Sequence, residues 1–189
     1  MKDRGKEETA RLEEALRGIG EGEARAEAGM TVLYDLMAPR MMRAAFTLTG
    51  SRADAEDVLQ ESMLKLFRQP GLYVPSGHPQ AYILTVVRHS ALDLVRRKQR
   101  ELSFAASPEE EPVAPPDRQT DLAAVADMLS VLEADDRLIV TLRLYEEFSY
   151  REIARILKIT VAAAQKRYQR AVAVLRRTYT EGETTHENE

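Results

Sequence analysis

Apolar residues recur three and four apart in several separate stretches of the chain, the spacing of one buried helix face. Near the C-terminus the pattern predicts two helices joined by a tight turn. Ser149 and Glu152 have the Ser-x-x-Glu spacing of a capping box, which starts a helix at Tyr150 and carries it to about Leu157 with Ile153, Ala154 and Leu157 inward. Lys158-Ile159-Thr160 forms the turn. Thr160 is the expected N-cap of a second helix whose inward stripe is Val161, Ala164, Tyr168, Ala171 and Leu175. Upstream, Ser51 begins another capped helix with Ala55, Val58, Leu59, Ser62, Leu66 and Phe67 inward, and a further helix runs from Gln80 to about Gln99 on Tyr82, Ile83, Val86, Val87, Ala91, Leu94 and Val95. Between them, Pro70 to Pro79 holds too many prolines and glycines for a helix and is expected to be a loop. Leu12, Leu16 and Ile19 sketch a short amphipathic helix broken by Gly18, Gly20 and Gly22.

The polar faces of these helices differ in chemistry. The last helix is basic and acid-free, with Ala162, Ala163, Gln165, Lys166, Gln169 and Arg170 outward near its start and Arg176 and Arg177 near its end. Two helices around a tight turn, the second of this kind, read as a helix-turn-helix whose leading outward side chains reach base edges while other cations meet phosphate. The plainer reading is a helical hairpin with a solvated basic face, its last arginines complementing the helix dipole. On the helix after Ser51, Asp54, Glu56, Asp57, Gln60 and Glu61 are expected to be exposed together; dipole complementation explains acids in a first turn, but not Gln60 and Glu61. The helix from Gln80 leaves Arg88, His89, Arg96, Arg97, Lys98 and Arg100 outward, cations suited to the phosphates of a nucleic-acid strand.

Charge changes the picture once it is divided by segment. The 189-residue chain carries a net charge of −4, yet Arg88 to Arg100 has five basic residues against one acid and Lys166 to Arg177 has five against none. Most of the acids sit in the first 29 residues, the helix after Ser51, a linker and the tail. Four prolines between Pro108 and Pro116, among Glu109, Glu110, Glu111 and Asp117, mark a linker unable to bury enough apolar surface to order itself. The expected organisation is all-α: a charged extension or leading helix over 1–29, a helical domain over 30–100, a flexible acidic Pro-rich linker over 101–121, a helix-turn-helix domain over 122–178 and a disordered polar tail over 179–189. Two basic patches on tethered domains suit two separate DNA contacts.

AEDVLQE from Ala55 to Glu61, LDLVRR from Leu92 to Arg97 and SYREIA from Ser149 to Ala154, in this order and around an acidic linker, resemble the extracytoplasmic-function (ECF) family of bacterial RNA polymerase sigma factors over about Met30 to Arg177. The resemblance implies a factor that binds core RNA polymerase, through the beta-prime clamp helices and the beta subunit, and directs promoter-specific initiation. Core docking would fall to Asp54, Glu56, Asp57, Gln60 and Glu61. Minus-10 DNA would meet Arg88, His89, Arg96, Arg97, Lys98 and Arg100, with the loop after Pro70 helping to capture a flipped base. The minus-35 element would meet Arg143, Tyr150, Arg151, Ala163, Gln165, Lys166, Arg167, Gln169 and Arg170, Gln165 and Gln169 suiting adenine and Lys166 or Arg170 guanine. Asp93 would orient Arg96 or Arg97. An anti-sigma partner is implied as well. The chain departs from the family pattern at Tyr82, where Trp is common, at His89, where Asn is usual, and at Ala162-Ala163-Ala164, where Gly-Thr-Val is usual. Met30 stands near the family's usual first motif, so residues 1–29 read as a leading helix, a partner site or an overlong start. In the family the linker threads toward the active-site cleft; a solvated spacer is the plainer reading.

Other classes fit less well. His78, His89 and His186 are scattered, and there is no nucleophile motif, phosphate-cradling glycine loop or metal-ligand spacing, so neither catalysis nor a cofactor is expected. The chain has no cysteine, which suits a reducing compartment, and no apolar run approaches the roughly 20 residues of a membrane helix; a cytoplasmic protein without membrane insertion is expected. The alternatives that stay open are a sigma-like adaptor that does not initiate, given Tyr82 and His89, and a stand-alone helix-turn-helix regulator, although no dimerisation element is evident.

Overall fold

The computed structural model describes residues 2–104, 125 and 127–183, and every regular element among them is helical. These are α1 (Lys2–Gly18), α2 (Glu23–Thr49), α3 (Arg52–Arg68), a 3-10 turn (Pro70–Leu72), α4 (Pro79–Phe104), α5 (Ala134–Leu144), α6 (Tyr150–Leu157) and α7 (Val161–Glu183). The chain divides into two compact units, residues 1–107 and 108–189, in agreement with the all-helical, two-domain class read from the sequence. Of the expected linker, residues 101–104 continue α4, and the rest lies outside the described residues.

In the first unit α1, α3 and α4 all pack on α2. The buried side of α2 is Ala26, Gly29, Leu33, Met37, Met41, Ala44, Ala45 and Leu48, three or four apart as one helix stripe requires. Leu12, Ala15 and Leu16 of α1 and Ile19 just after it are buried too. At the crossing, a Cβ added to Gly29 would lie 2.6 Å from the Ala15 carbonyl oxygen and 3.2 Å from Ile19 Cγ1, so only a hydrogen fits there. The glycines after residue 17 do end the first helix, with Gly22 at a φ of 108°. The boundary expected at residue 30, however, falls inside α2. Its apolar stripe starts with Ala26 and Gly29, whose small side chains carry little hydrophobic signal in the sequence.

Gly50 closes α2 in the left-handed conformation, its N–H donating to the Phe46 carbonyl at 2.8 Å, and Ser51 caps α3 by accepting from the Asp54 N–H at 3.3 Å. Pro79 opens α4, where its missing N–H costs nothing, and the helix runs past the expected end at Gln99 to Phe104.

The second unit is built around α5, in which Leu138 to Leu142 are all buried. Leu129, Leu132, Val140 and Ala171 form one core cluster with Tyr168, Val174 and Leu175 packed against it. Arg167 of α7 turns toward the start of α5: its Nε donates to Asp136 Oδ1 at 2.7 Å and its Nη1 lies 3.5 Å from Asp135 Oδ2, with all three side chains about a quarter exposed (26%, 22% and 23%). The two aspartates stand in a first helical turn, where negative charge is also favoured by the dipole. At its other end α7 outruns its expected limit. Residues 179–183, assigned to the tail, are helical, and the Tyr179 hydroxyl donates to the Met128 carbonyl at 2.9 Å; residues 184–189 lie outside the described residues.

Gly29→Ala is expected to lower the stability of the first unit by about 1–3 kcal/mol in denaturant unfolding, whereas Gly5→Ala, with nothing within 4 Å of the added carbon, leaves it unchanged or slightly higher. Arg167→Ala should remove about 1 kcal/mol from the second unit, while Lys166→Ala, at an exposed site, should not move its melting temperature.

Candidate functional site

One surface is built by α3. Glu56, Asp57, Gln60 and Glu61 are exposed on it, with Glu56 paired to Arg52 at 3.0 Å and Glu61 to Lys65 at 3.7 Å. Asp54 does not join them. Only 14% exposed, it is turned to α4 and paired with Lys98 Nζ at 2.5 Å, so one expected docking residue and one expected DNA contact neutralise each other. Phe67 differs as well: expected inward, it is 50% exposed, and with Met30, Tyr34 and the acids Glu23, Glu27 and Asp35 it lines a shallow hollow. The reason is angular. Residues 55, 58, 62 and 66 keep the helical spacing, and position 67 lies about 100° off it.

A second surface lies between α3 and α4, a hollow of about 570 Å³ lined among others by Lys65, Gln69, Leu72, Tyr82, Arg88, His89 and Arg96. The six residues expected to form one basic face are thus divided. At about 100° per residue, positions 88, 89, 96 and 100 fall within one third of the helix circumference, while 97 and 98 point elsewhere. Arg97 lies 4.0 Å from Glu101, and Arg100 Nε donates to the Arg96 carbonyl at 3.4 Å. Asp93 pairs with Arg96 at 3.7 Å, as one of its two expected partners.

Sequence reasoning missed the α3 and loop side of this hollow. Lys65 Nζ donates to Ser90 Oγ at 3.0 Å, fixing the ammonium across the helix pair. The stretch expected to be all loop contains the 3-10 turn, which delivers Leu72, and Tyr73 follows it into the interior, 8% exposed, with its ring 5.1 Å from that of Tyr82. Burial raises the Tyr82 hydroxyl above its ordinary value. A proline-rich segment between two strong helices carries no periodicity, so neither residue could be assigned a side from the sequence.

The third surface is the helix-turn-helix. Ser149 and Glu152 form the predicted capping box, Lys158 makes the turn at a φ of 55°, and the Ala163 N–H donates to Thr160 Oγ1 at 3.1 Å. Ile153, Ala154 and Leu157 are buried as expected, with Ile156 in addition; Val161, expected inward, is 39% exposed because it starts α7 beyond the rim of the core. Arg151, Gln165, Lys166, Gln169 and Arg170 are exposed and Ala163 is half-buried. The remaining expected contacts, Arg143, Tyr150 and Arg167, are partly buried and make contacts within the unit. The Arg143 guanidinium lies 5.2 Å from the centre of the Tyr150 ring and its Nη1 donates to the Phe148 carbonyl at 3.2 Å, Tyr150 meets Tyr168 edge-on at 5.9 Å, and Arg167 is held by Asp135 and Asp136. In sequence an arginine that supports a helix and one that faces solvent look alike.

Among the described residues no His, Cys, Asp and Glu cluster is arranged to hold a metal ion, and no helix is long and apolar enough to cross a membrane. Comparison with known proteins follows the same division as the fold. Residues 33–101 match Sigma-70 region 2 and residues 122–175 match Sigma-70, region 4. The chain is 33% identical over 168 residues to the ECF RNA polymerase sigma factor SigL of Mycobacterium tuberculosis, spanning 85% of this chain and 94% of SigL, and 31% identical over 149 residues to the RNA polymerase sigma factor CarQ of Myxococcus xanthus, spanning 76% and 85%. Its fold is similar to the sigma factor RpoE of Bartonella quintana in complex with the anti-sigma factor NepR (TM-score 0.65, 23% identity, 78% of this chain and 94% of that one) and to CnrH in complex with the cytosolic domain of CnrY (0.65, 20%, 92% and 97%). The two matched regions, in order on two helical units, together with these relatives, show that the chain belongs to the ECF RNA polymerase sigma factor family.

Proposed function

We propose that this sigma factor brings core RNA polymerase to its promoters through one protein contact and two DNA contacts divided among the three surfaces. Glu56, Asp57, Gln60 and Glu61 dock on the beta-prime clamp helices, with exposed Phe67 supplying apolar area beside them. The hollow between α3 and α4 receives the melted non-template strand of the minus-10 element, its phosphates met by Arg88, Arg96 and Lys65 and a flipped base lying against Tyr82 and Leu72. Unstacking that base costs a few kcal/mol, which the strand contacts offset. The exposed start of α7 enters the major groove of the minus-35 element. Gln165, Lys166, Gln169 and Arg170 read bases there, and Arg151 meets phosphate.

The observation that carries this reading is that α3 takes part in two surfaces. Its acidic face is exposed, while Lys65 and Gln69, at and just beyond its C-terminal end, line the hollow, so a polymerase held on the first surface is one helix away from the strand in the second. The chemistry of RNA synthesis stays with the polymerase, and the protein acts in the cell interior where core polymerase is. Complexes of RpoE with NepR and of CnrH with CnrY support an anti-sigma partner for this chain too, one that covers these surfaces until release.

Run-off transcription with purified core polymerase and this protein on fragmented genomic DNA, followed by sequencing of the RNA 5′ ends, should yield discrete starts that share two upstream elements; core binding without starts would instead mark a non-initiating adaptor. Charge reversal at Asp57 and Glu61 should abolish core binding and leave the helical signal and melting temperature unchanged. Lys166→Ala with Arg170→Ala should weaken minus-35-dependent transcription, each lost base contact being worth about 1–3 kcal/mol, while holoenzyme still assembles at parental affinity.

A further inference from the structure

The segment between α3 and α4, which brings Gln69 and Leu72 to the hollow, has few hydrogen bonds of its own. Its first part is tied by the 3-10 turn, Leu72 N–H to the Gln69 carbonyl at 3.2 Å and Tyr73 N–H to the Pro70 carbonyl at 3.3 Å. Farther along, the contact comes from another element. Glu13 Oε1, on α1, accepts from the Tyr73 hydroxyl at 2.8 Å and from the Gly77 N–H at 2.7 Å, bridging both ends of the segment 73–77. Gly77 itself has a φ of 73°, which a residue with a side chain rarely adopts. Two further contacts keep α1 in register beside it: Gln80 Nε2 donates to Thr9 Oγ1 at 3.4 Å, and Arg40 of α2 pairs with Glu8.

We propose that Glu13 is a positioning residue for minus-10 strand capture, because its carboxylate fixes the 73–77 segment and thereby sets Tyr73 against Tyr82 at the wall of the hollow. The inference rests on the reading of the hollow given above. The connection is a chain of direct contacts: Glu13 to the Tyr73 hydroxyl, the Tyr73 ring to the Tyr82 ring at 5.1 Å, and Tyr82 with Leu72 at the hollow. The two protonation states favour it. The Tyr73 hydroxyl and the Gly77 N–H hold Glu13 below the usual carboxylate range, and burial, followed by the bond to Glu13, pushes the Tyr73 hydroxyl up to about 12. At neutral pH the carboxylate accepts and the phenol donates. An ionised acceptor makes these bonds stronger than neutral ones would be, and the close crossing at Gly29 keeps α1 near enough to make them. A helix that precedes the matched region 2 therefore contributes to the surface within it.

The test uses holoenzyme assembled from core polymerase and the full chain. It is titrated with a fluorescent single strand carrying the non-template minus-10 element of a promoter mapped by the run-off experiment, intact and with an abasic site at each position in turn. Glu13→Ala should reduce the preference for the intact strand over the strand lacking the flipped base by about tenfold, with affinity for the abasic strand and for core unchanged. Glu13→Gln, which keeps an acceptor oxygen without the charge, should fall between, and Tyr73→Phe, which keeps the ring on Tyr82, should lose most of the same preference. Hydrogen exchange at the Gly77 amide should be faster in Glu13→Ala. A parental preference in Glu13→Ala despite faster exchange at Gly77 would overturn the proposal, as would equal losses on intact and abasic strands or a loss of core affinity, either of which marks a structural role alone. If Arg88→Ala and Arg96→Ala holoenzymes bind the intact strand as the parent does, the reading of the hollow fails and this proposal with it; if they bind it weakly and Glu13→Ala does not, this proposal alone fails.

Discussion

The contact between α1 and α2 at Gly29 is the constraint on which the first unit depends. With a hydrogen at that position the Ala15 carbonyl can come within 2.6 Å of where a Cβ would stand, and α1 lies flat on the spine helix. The stripe Leu12, Ala15, Leu16 and Ile19 is then buried, and the flank of α1 beside it carries Glu13 to Tyr73 and Gly77. From there the arrangement passes to Tyr82 and the hollow between α3 and α4. A close packing at one glycine is thus joined by direct contacts to a surface formed by other helices. Interiors packed to crystal density transmit such shifts because they have no slack to absorb them.

Charge in this protein is arranged by pairing as much as by exposure. Asp54 holds Lys98, Asp93 holds Arg96, Glu101 lies beside Arg97, and Asp135 with Asp136 holds Arg167. These pairs moderate the basic surfaces of a chain whose net charge is −4. Binding to phosphate scales with the number of phosphates neutralised, and each internal pair lowers the charge left for it.

The second unit separates a packed side from an exposed side within a single helix. The side of α7 that meets α5 and α6 carries Ala164, Tyr168 and Ala171, and Arg167 joins that side through its two aspartates. Gln165, Lys166, Gln169 and Arg170 occupy the other side. Tyr150, between the Arg143 guanidinium and the Tyr168 ring, links the first helix of the motif to the second. Rigid support of this kind fixes the backbone from which the outward side chains of α7 project.

Much of this was legible in the residues alone, where the information is local. Ser51, Ser149 and Thr160 cap the helices they precede, the turn at Lys158 stands where its spacing put it, and two helical units were evident from the apolar stripes on either side of a proline-rich acidic stretch. A cap depends on atoms three residues apart, and a stripe on a fixed angle per residue, so both can be read along the chain. What tertiary structure decided was which of several equivalent charges stay in solvent. Asp54 and Lys98 are 44 positions apart, Arg167 and Asp136 are 31, and Glu13 and Gly77 are 64. No local rule distinguishes Asp54 from Asp57 or Arg167 from Arg170, because the distinction lies in a partner brought near only by the packing of another helix.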